Sequence, residues 1–341
     1  MELEQKTLRV GAMAVACAIL CRLIAGGLPD RLLEFFCRPE TAAFILYLET
    51  GRVVKPMEIS QSADAMPPTE ESAPSTLPSA TLSAKPVQSP VSFSPEDAYT
   101  VTVGNVSGYS VDIDALLQQP LSWDLKTGEP TVLILHSHGS ECYTELVLAT
   151  ENYRTEDPRY NVVSVGAELK GLLEAKGIGV IHDTTLHDQP SYNNAYGNAR
   201  EATETALARY PSIRLILDIH RDAAENSAGQ QVKKIVTVDG QDVAQLMLVV
   251  GTDAGGLAHP NWEENMALAV KLHAQLEKTV PGICRPISFR TQRFNQDLSP
   301  GALIVEVGAA GNTRQEALRA IEYLAQAVID LAKGTTAGST S

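Results

Sequence analysis

Residues 131–141 read TVLILHSHGSE, an apolar, β-branched run that stops abruptly at a cluster of histidine, serine and glutamate. A short apolar run bounded by turn residues is a strand buried on both faces, the kind found inside a parallel sheet. Downstream the pattern recurs. VSVGAELKGLLEAKG (163–177) has helical spacing and ends at Gly177, suited to a left-handed cap, and IGVIHD (178–183) is the next strand. YNNAYGNAREATETALARYP (192–211) reads as a helix stopped at Pro211, and IRLILDIH (213–220) as a third buried strand. QQVKKIVTVDG is an exposed antiparallel element, and QLMLVVG (245–251) is a further core strand. WEENMALAVKLHAQLEKTVPG forms a long helix, ALIVEVG (302–308) the last core strand, and TRQEALRAIEYLAQAVIDLAKG the closing helix. This alternation predicts an α/β domain over residues 98–334, with a mixed, mostly parallel central sheet flanked by helices and a flexible tail over 335–341.

Upstream of the domain, residues 55–97 turn to Pro, Ser, Thr and Ala, a composition that buries too little apolar surface to offset the entropy of ordering, so a disordered linker is expected. VGAMAVACAILCRLIAGGL (10–28) is nearly as long as the roughly 20 residues that cross a bilayer. It reads as a signal-anchor transmembrane helix, with a cleaved secretory signal as the alternative. A short tail (1–9) precedes it and a juxtamembrane segment (29–54) follows. Either reading of the span exports the domain, so the expected location is the cell membrane, single-pass, with the α/β domain extracytoplasmic.

A formal net charge of -14 excludes nucleic acid as a partner, because phosphate binding needs a dense Lys/Arg face. Of the five cysteines, Cys17, Cys21 and Cys37 lie in or near the apolar amino-terminal region, and Cys142 and Cys284 read as isolated thiols rather than a disulfide framework.

Chemistry-bearing residues gather where the apolar runs end, which is where ligands and catalytic groups sit in open α/β sheets. His138 and Glu141 follow the first strand in an H-x-x-E spacing, and an imidazole and a carboxylate so placed can reach one Zn²⁺. LDIHRD delivers His220 to a second strand end, and ALIVEVG carries Glu306 in an otherwise apolar run, where a carboxylate is either paired or functional. Catalytic zinc sites take three protein ligands, leave one position open and keep a carboxylate nearby to move a proton. His138, Glu141 and His220 fill the ligand roles and Glu306 that of the base.

His136 shares a strand face with His138 by the i, i+2 rule; it either replaces Glu141 as a ligand or sits behind the ligands, orienting one of them or touching substrate. Arg221 and Asp222 are candidates to bind a substrate carboxylate or orient a histidine, with a surface ion pair as the plain alternative. His187, in a loop with Asp188 and Pro190, is structural or substrate-lining, as is His182. His259 and His273 read as a turn and a helix surface. Asn295 and Gln296, with Asp297, precede the last strand as candidate sugar or peptide contacts. No G-x-S-x-G elbow, H-E-x-x-H helix, Walker loop or C-x-x-C pair occurs, and Cys142 is the one thiolate candidate close to His138.

VLILHSHGSECY, HDTTLHDQPSYNNAY, LDIHRDA, VVGTDAGGLAHPNWEENMALA, PGICRPISFRTQRFNQDLSPGALIVEVG and NTRQEAL follow one another in an order that resembles the stage II sporulation protein P (SpoIIP) family, over about residues 103–332. The resemblance implies a zinc-amidase, phosphorylase/hydrolase-like fold and N-acetylmuramoyl-L-alanine amidase activity, cleaving the amide between muramic acid and the stem peptide of peptidoglycan during spore engulfment. Endopeptidase action on crosslinks is a further activity of some members. It also implies work beside the sporulation proteins SpoIID and SpoIIM at the membrane. Related zinc amidases use a His, Glu, His ligand set and a later glutamate base, which fall here on His138, Glu141, His220 and Glu306. One departure is visible: where the broader superfamily opens a helix with the ligand glutamate, YNVVSVGAELK has Asn161, and Glu141 stands in for it. A metallocarboxypeptidase-like peptidase and a catalytically idle wall-binding scaffold are the alternatives.

Overall fold

The run TVLIL alternates as a two-sided strand must: Val132 and Ile134 enter one apolar cluster, Leu133 and Leu135 another. The same parity holds in the two neighbouring strands. Leu215, Leu217 and Ile219, like Leu303, Val305 and Val307, point to the first cluster, whereas Ile216 and Ala302 point to the second.

The computed structural model describes residues 90–144 and 153–336. Its elements are β1 (Val103–Asn105), α1 (Ile113–Gln118), β2 (Pro130–Leu135), α2 (Val162–Glu174), β3 (Gly179–His182), α3 (Ala195–Arg209), β4 (Leu215–Asp222), β5 (Ile235–Val238), β6 (Gln241–Ala244), β7 (Leu246–Val250), α4 (Trp262–Thr279), β8 (Ile287–Phe289), β9 (Ala302–Ala309) and α5 (Arg314–Asp330). The membrane span, the juxtamembrane segment and residues 55–89 of the linker lie outside the described residues. Among the described residues, no helix is long and apolar enough to cross a membrane.

Seven strands form one sheet in the order β1-β8-β7-β9-β4-β2-β3, and β5 pairs with β6 in a separate antiparallel ribbon. Every pair in the large sheet is parallel except β7 with β9. The expectation of a mixed, mostly parallel sheet flanked by helices therefore holds. The helices α2, α5 and α4 pack in succession over the face that carries the larger apolar cluster, and α3 covers the other with Ala199, Ala206 and Leu207.

Sequence periodicity overlooked β1, α1 and β8, which have three, six and three residues and are too short to show a period. Ordered packing also reaches back beyond residue 98. Val91 bridges to Thr335, and Phe93 is buried beside Leu117 in the main core. A single aromatic anchor in a Pro/Ser-rich stretch is invisible to composition. His273, expected on a helix surface, is buried, because α4 is packed on more than one side.

The sheet order explains the placement of the site. β9, β4 and β2 are adjacent and parallel, so their carboxyl ends open at one rim.

Candidate active site

β4 carries Asp218 and His220 with the parity of Ile216, so both face the α3 side of the sheet, and β9 sets Glu306 beside His220 as its direct register partner. The turn after β2 brings in His138 and Glu141. His138 Nδ1 lies 3.7 Å from Glu141 Oε1, and His220 Nδ1 lies 3.3 Å from Glu141 Oε2. One donor atom from each of the three residues falls within 4.8 Å of the others. Among the described residues no other trio of His, Cys, Asp or Glu gathers in this way.

Two imidazoles and a carboxylate are a donor set that suits zinc, and tetrahedral donors bound at about 2.1 Å stand about 3.4 Å apart, against 3.7 and 3.3 Å here from the two imidazoles to the two oxygens of Glu141. Glu306 supplies the remaining mark of such a centre. Its Oε2 is sealed from solvent and has no hydrogen-bond partner. A buried carboxylate oxygen left unpaired is costly in a purely structural role.

The two glutamates are pushed in opposite directions. Burial favours the neutral form of Glu141, but the His220 contact and the charges of His220, Arg221 and His138 outweigh it and hold the carboxyl well below the usual range. For Glu306 burial again comes first, and Glu141 and Asp222 add to it against His220 and Arg221, so its pKa is raised. Paired carboxyls driven apart by their surroundings are the pattern of a site with separate charge-holding and proton-moving groups. Burial and the nearby His220 lower the His138 pKa to about 4. His220 shows the reverse: burial opposes its charge, yet Asp218 and Glu141 raise its pKa well above the ordinary value. Its Nε2 is 2.9 Å from Asp218 Oδ1, off the line of a hydrogen bond. Asp218 is itself gripped by the Ser137 backbone N–H at 2.8 Å and by the Ser137 hydroxyl.

Other expected site residues take different places. His136 does not share a face with His138. It continues the parity of Val132 and Ile134, while the turn at 137–140 carries His138 to the opposite side. Its Nδ1 bonds Ile219 O at 2.9 Å and its Nε2 meets His182 Nε2 at 2.9 Å, so both nitrogens are used. Glycine at 166 makes room for this pair, since a Cβ there would come within 2.7 Å of the His136 ring and 2.8 Å of His182 Nε2.

Arg221 is neither a surface ion pair nor a substrate clamp. It is buried, and it donates to the carbonyls of Cys142 (3.1 Å) and Tyr153 (2.8 Å) while its backbone N–H bonds Glu141 Oε2 at 3.2 Å. The reason is topological: the residue after His220 on β4 faces Cys142 and Tyr153. Asp222 lies 2.7 Å from Arg285 and acts on Glu306 through its field. His187 bonds Asp183 at 3.0 Å rather than any member of the trio. Gln296 spends its whole amide on Gly251 N–H and Val249 O, each at 2.8 Å, tying its loop to β7. Asn295, in the left-handed region at φ 60°, donates to Tyr196 O at 2.7 Å. Asn161 is buried at the amino end of α2, where its side chain caps Val163 N–H, and Val162 N–H bonds Glu141 O at 2.8 Å. Glu141 thus reaches the centre from beside Asn161. Cys142 is fully buried, burial pushes its thiol pKa up, and both it and Cys284 are free, which removes the thiolate reading.

Four neighbours of the centre escaped the sequence reading. Asp218 could have been found, because it stands two residues before His220 on a strand. Tyr192 and Tyr196, four apart in YNNAY, both meet His138: Tyr192 stacks on it at 4.3 Å and Tyr196 meets it edge to face at 5.3 Å. Arg154 had no local signal; it joins Asp188 (2.9 Å) to Glu141 (3.5 Å) and lies over the Tyr192 ring.

The model of the family described as stage II sporulation protein P matches residues 49–329. The chain belongs to that family. Stage II sporulation protein P of Bacillus subtilis (strain 168) is 30% identical over 207 residues, which are 57% of this chain and 49% of that relative. The chain thus spans about half the length of the SpoIIP relative it matches. Among solved structures, the N-acetylmuramoyl-L-alanine amidase AmiC2 of Nostoc punctiforme is 15% identical with a TM-score of 0.37, covering 59% of this chain and 95% of that one. The CwlD amidase from Clostridioides difficile, solved in complex with the GerS lipoprotein, is 16% identical with a TM-score of 0.38, covering 60% and 97%.

Proposed function

We propose that this SpoIIP member is a zinc-dependent peptidoglycan hydrolase that cleaves the amide between N-acetylmuramic acid and the L-Ala of the stem peptide, on the outer side of the membrane, during engulfment. Family membership supports the setting, and the juxtaposition of His138, Glu141 and His220 beside an unpaired Glu306 carboxylate carries the chemistry. Zinc held by His138, Glu141 and His220 would supply a Lewis acid for the scissile carbonyl and make a neighbouring water acidic.

The residues of the chain do the rest. Glu306, with a raised pKa and no competing partner, takes the proton of the attacking water and returns it to the departing amine. Arg221 and Arg154 hold Glu141 from two sides, which fixes its carboxylate, while His220 and then Arg221 keep it ionised. Asp218 orients His220, as outer carboxylates do for metal-bound imidazoles. SpoIID and SpoIIM as partners, the amino-terminal membrane anchor and crosslink endopeptidase action belong to the same proposal.

Glu306→Gln tests the assignment. Zinc content measured by elemental analysis should stay near one per chain, while release of stem peptide from purified cell walls should fall by about 10²–10⁴. Undiminished release would remove Glu306 from the mechanism, and free single amino acids as the product would point to a carboxypeptidase instead.

A further inference from the structure

The first turn of α3 sets an aromatic ring against the reaction centre. Tyr196 meets the His138 ring edge to face, with centroids 5.3 Å apart and planes at 76°, and it packs on Phe294 at 5.9 Å. Its backbone is anchored by Asn295, whose side-chain amide donates to Tyr196 O at 2.7 Å, so the loop before β9 fixes the turn that carries the ring. The ring is partly buried, and its hydroxyl lies within Coulombic range of Asp218, Glu306 and Glu141.

That hydroxyl has no protein partner among the described residues, and it is not sealed from solvent. Three nearby donor side chains are already engaged. The Arg154 guanidinium is engaged by Asp188 and Glu141, Arg221 by Glu141 and two backbone carbonyls, and the Ser137 hydroxyl by Asp218. A packed ring whose polar end alone is left unused at a cluster of catalytic groups is a donor waiting for an acceptor that the substrate brings.

We propose that Tyr196 is a catalytic residue whose hydroxyl donates a hydrogen bond to the carbonyl oxygen of the scissile amide as negative charge collects there. The inference rests on the amide-hydrolase reading above. Water oxygen bonds to the carbonyl carbon while its proton passes to Glu306, and the C=O π pair moves onto the carbonyl oxygen, toward which the Tyr196 O–H is directed. The pair then returns, the C–N bond breaks, and the proton held by Glu306 goes to nitrogen, leaving a carboxylic acid and an amine. Tyr196 keeps its own proton throughout, since it donates a hydrogen bond and transfers nothing. A donor aimed at developing charge contributes to turnover far more than to ground-state binding.

Tyr196→Phe in the full-length chain is the test, because it retains the ring against His138 and Phe294 and removes only the hydroxyl. On purified cell walls kcat should fall by about 10²–10³, with KM within about twofold and zinc content unchanged. Wild-type kcat, or loss of zinc from the variant, overturns the proposal; the second result would make Tyr196 a support for His138. A phosphinate that replaces the scissile amide gives a readout independent of turnover: by calorimetry the variant should bind it at least tenfold more weakly, and equal affinity overturns the assignment. If wild-type protein holds zinc but does not cleave walls, the amidase reading fails, and phosphinate affinity alone then decides for or against Tyr196.

Discussion

Two histidine pairs straddle the end of β2, and they have opposite fates. On the α2 side His136 and His182 meet nitrogen to nitrogen, with Ile219 O taking the remaining nitrogen of His136. On the α3 side His138 and His220 meet ring to ring at 5.2 Å and are held by Glu141 and Asp218. Burial is common to both pairs; the carboxylates are not. Burial prevails in the first pair, where the pKa of His136 falls to about 3 and that of His182 to about 4, and it prevails at His138 as well, which falls to about 4. Only His220, set between Asp218 and Glu141, has its pKa pushed up against burial, and the same carboxylates make it a place for a cation. Histidine identity alone does not make a ligand set; the acid beside it does.

The largest expected effect comes from exchanging the pairs as targets. His220→Ala should lose bound zinc and lower wall hydrolysis by about 10⁴ or more, whereas His182→Ala should retain zinc by elemental analysis and most of its turnover. Equal zinc loss in both variants would erase the distinction between the pairs.

Next comes acid lability. The folded-state pKa of His136 lies below its unfolded value near 6.5, so its contribution to stability is complete above that value and is lost as pH falls toward about 3. The window spans about 3.5 pKa units, worth at most about 5 kcal/mol. Urea titrations between pH 7 and 4 should show His136→Gln with a shallower loss of stability than wild type. A parallel loss would mean that other groups carry the acid sensitivity.

Asp218→Asn should weaken zinc binding about 10–100-fold by competition with a chelator, the usual cost of removing an orienting carboxylate. Unchanged affinity would make Asp218 a partner of Ser137 only. The smallest effect is steric. Gly166→Ala should cost about 1–2 kcal/mol in urea unfolding, through overpacking against His136 and His182, while zinc affinity stays within about twofold. A change in zinc affinity would show that the two pairs communicate through β2.

How far each pair could be read from the sequence follows from the same geometry. His138, Glu141, His220 and Glu306 were readable because each sits at the end of, or within, a long apolar run, where a polar side chain is conspicuous. Arg154, Tyr192 and Tyr196 lie outside any such run and reach His138 or Glu141 across the sheet rim. The partners of Gln296 and Arg221 could not be read, because a polar residue near a strand end looks the same whether it bonds backbone carbonyls or solvent.

Sequence by itself determined the alternation of strands and helices, because two-sided burial enforces apolar runs and helical packing enforces a period, and it marked the strand ends where chemistry gathers. Only the tertiary structure decided that β7 runs against β9, that Phe93 anchors the amino-terminal edge of the domain, and that His136 faces away from its neighbour at 138. Those outcomes depend on contacts between residues tens to hundreds of positions apart, and such contacts leave no periodic trace in the chain.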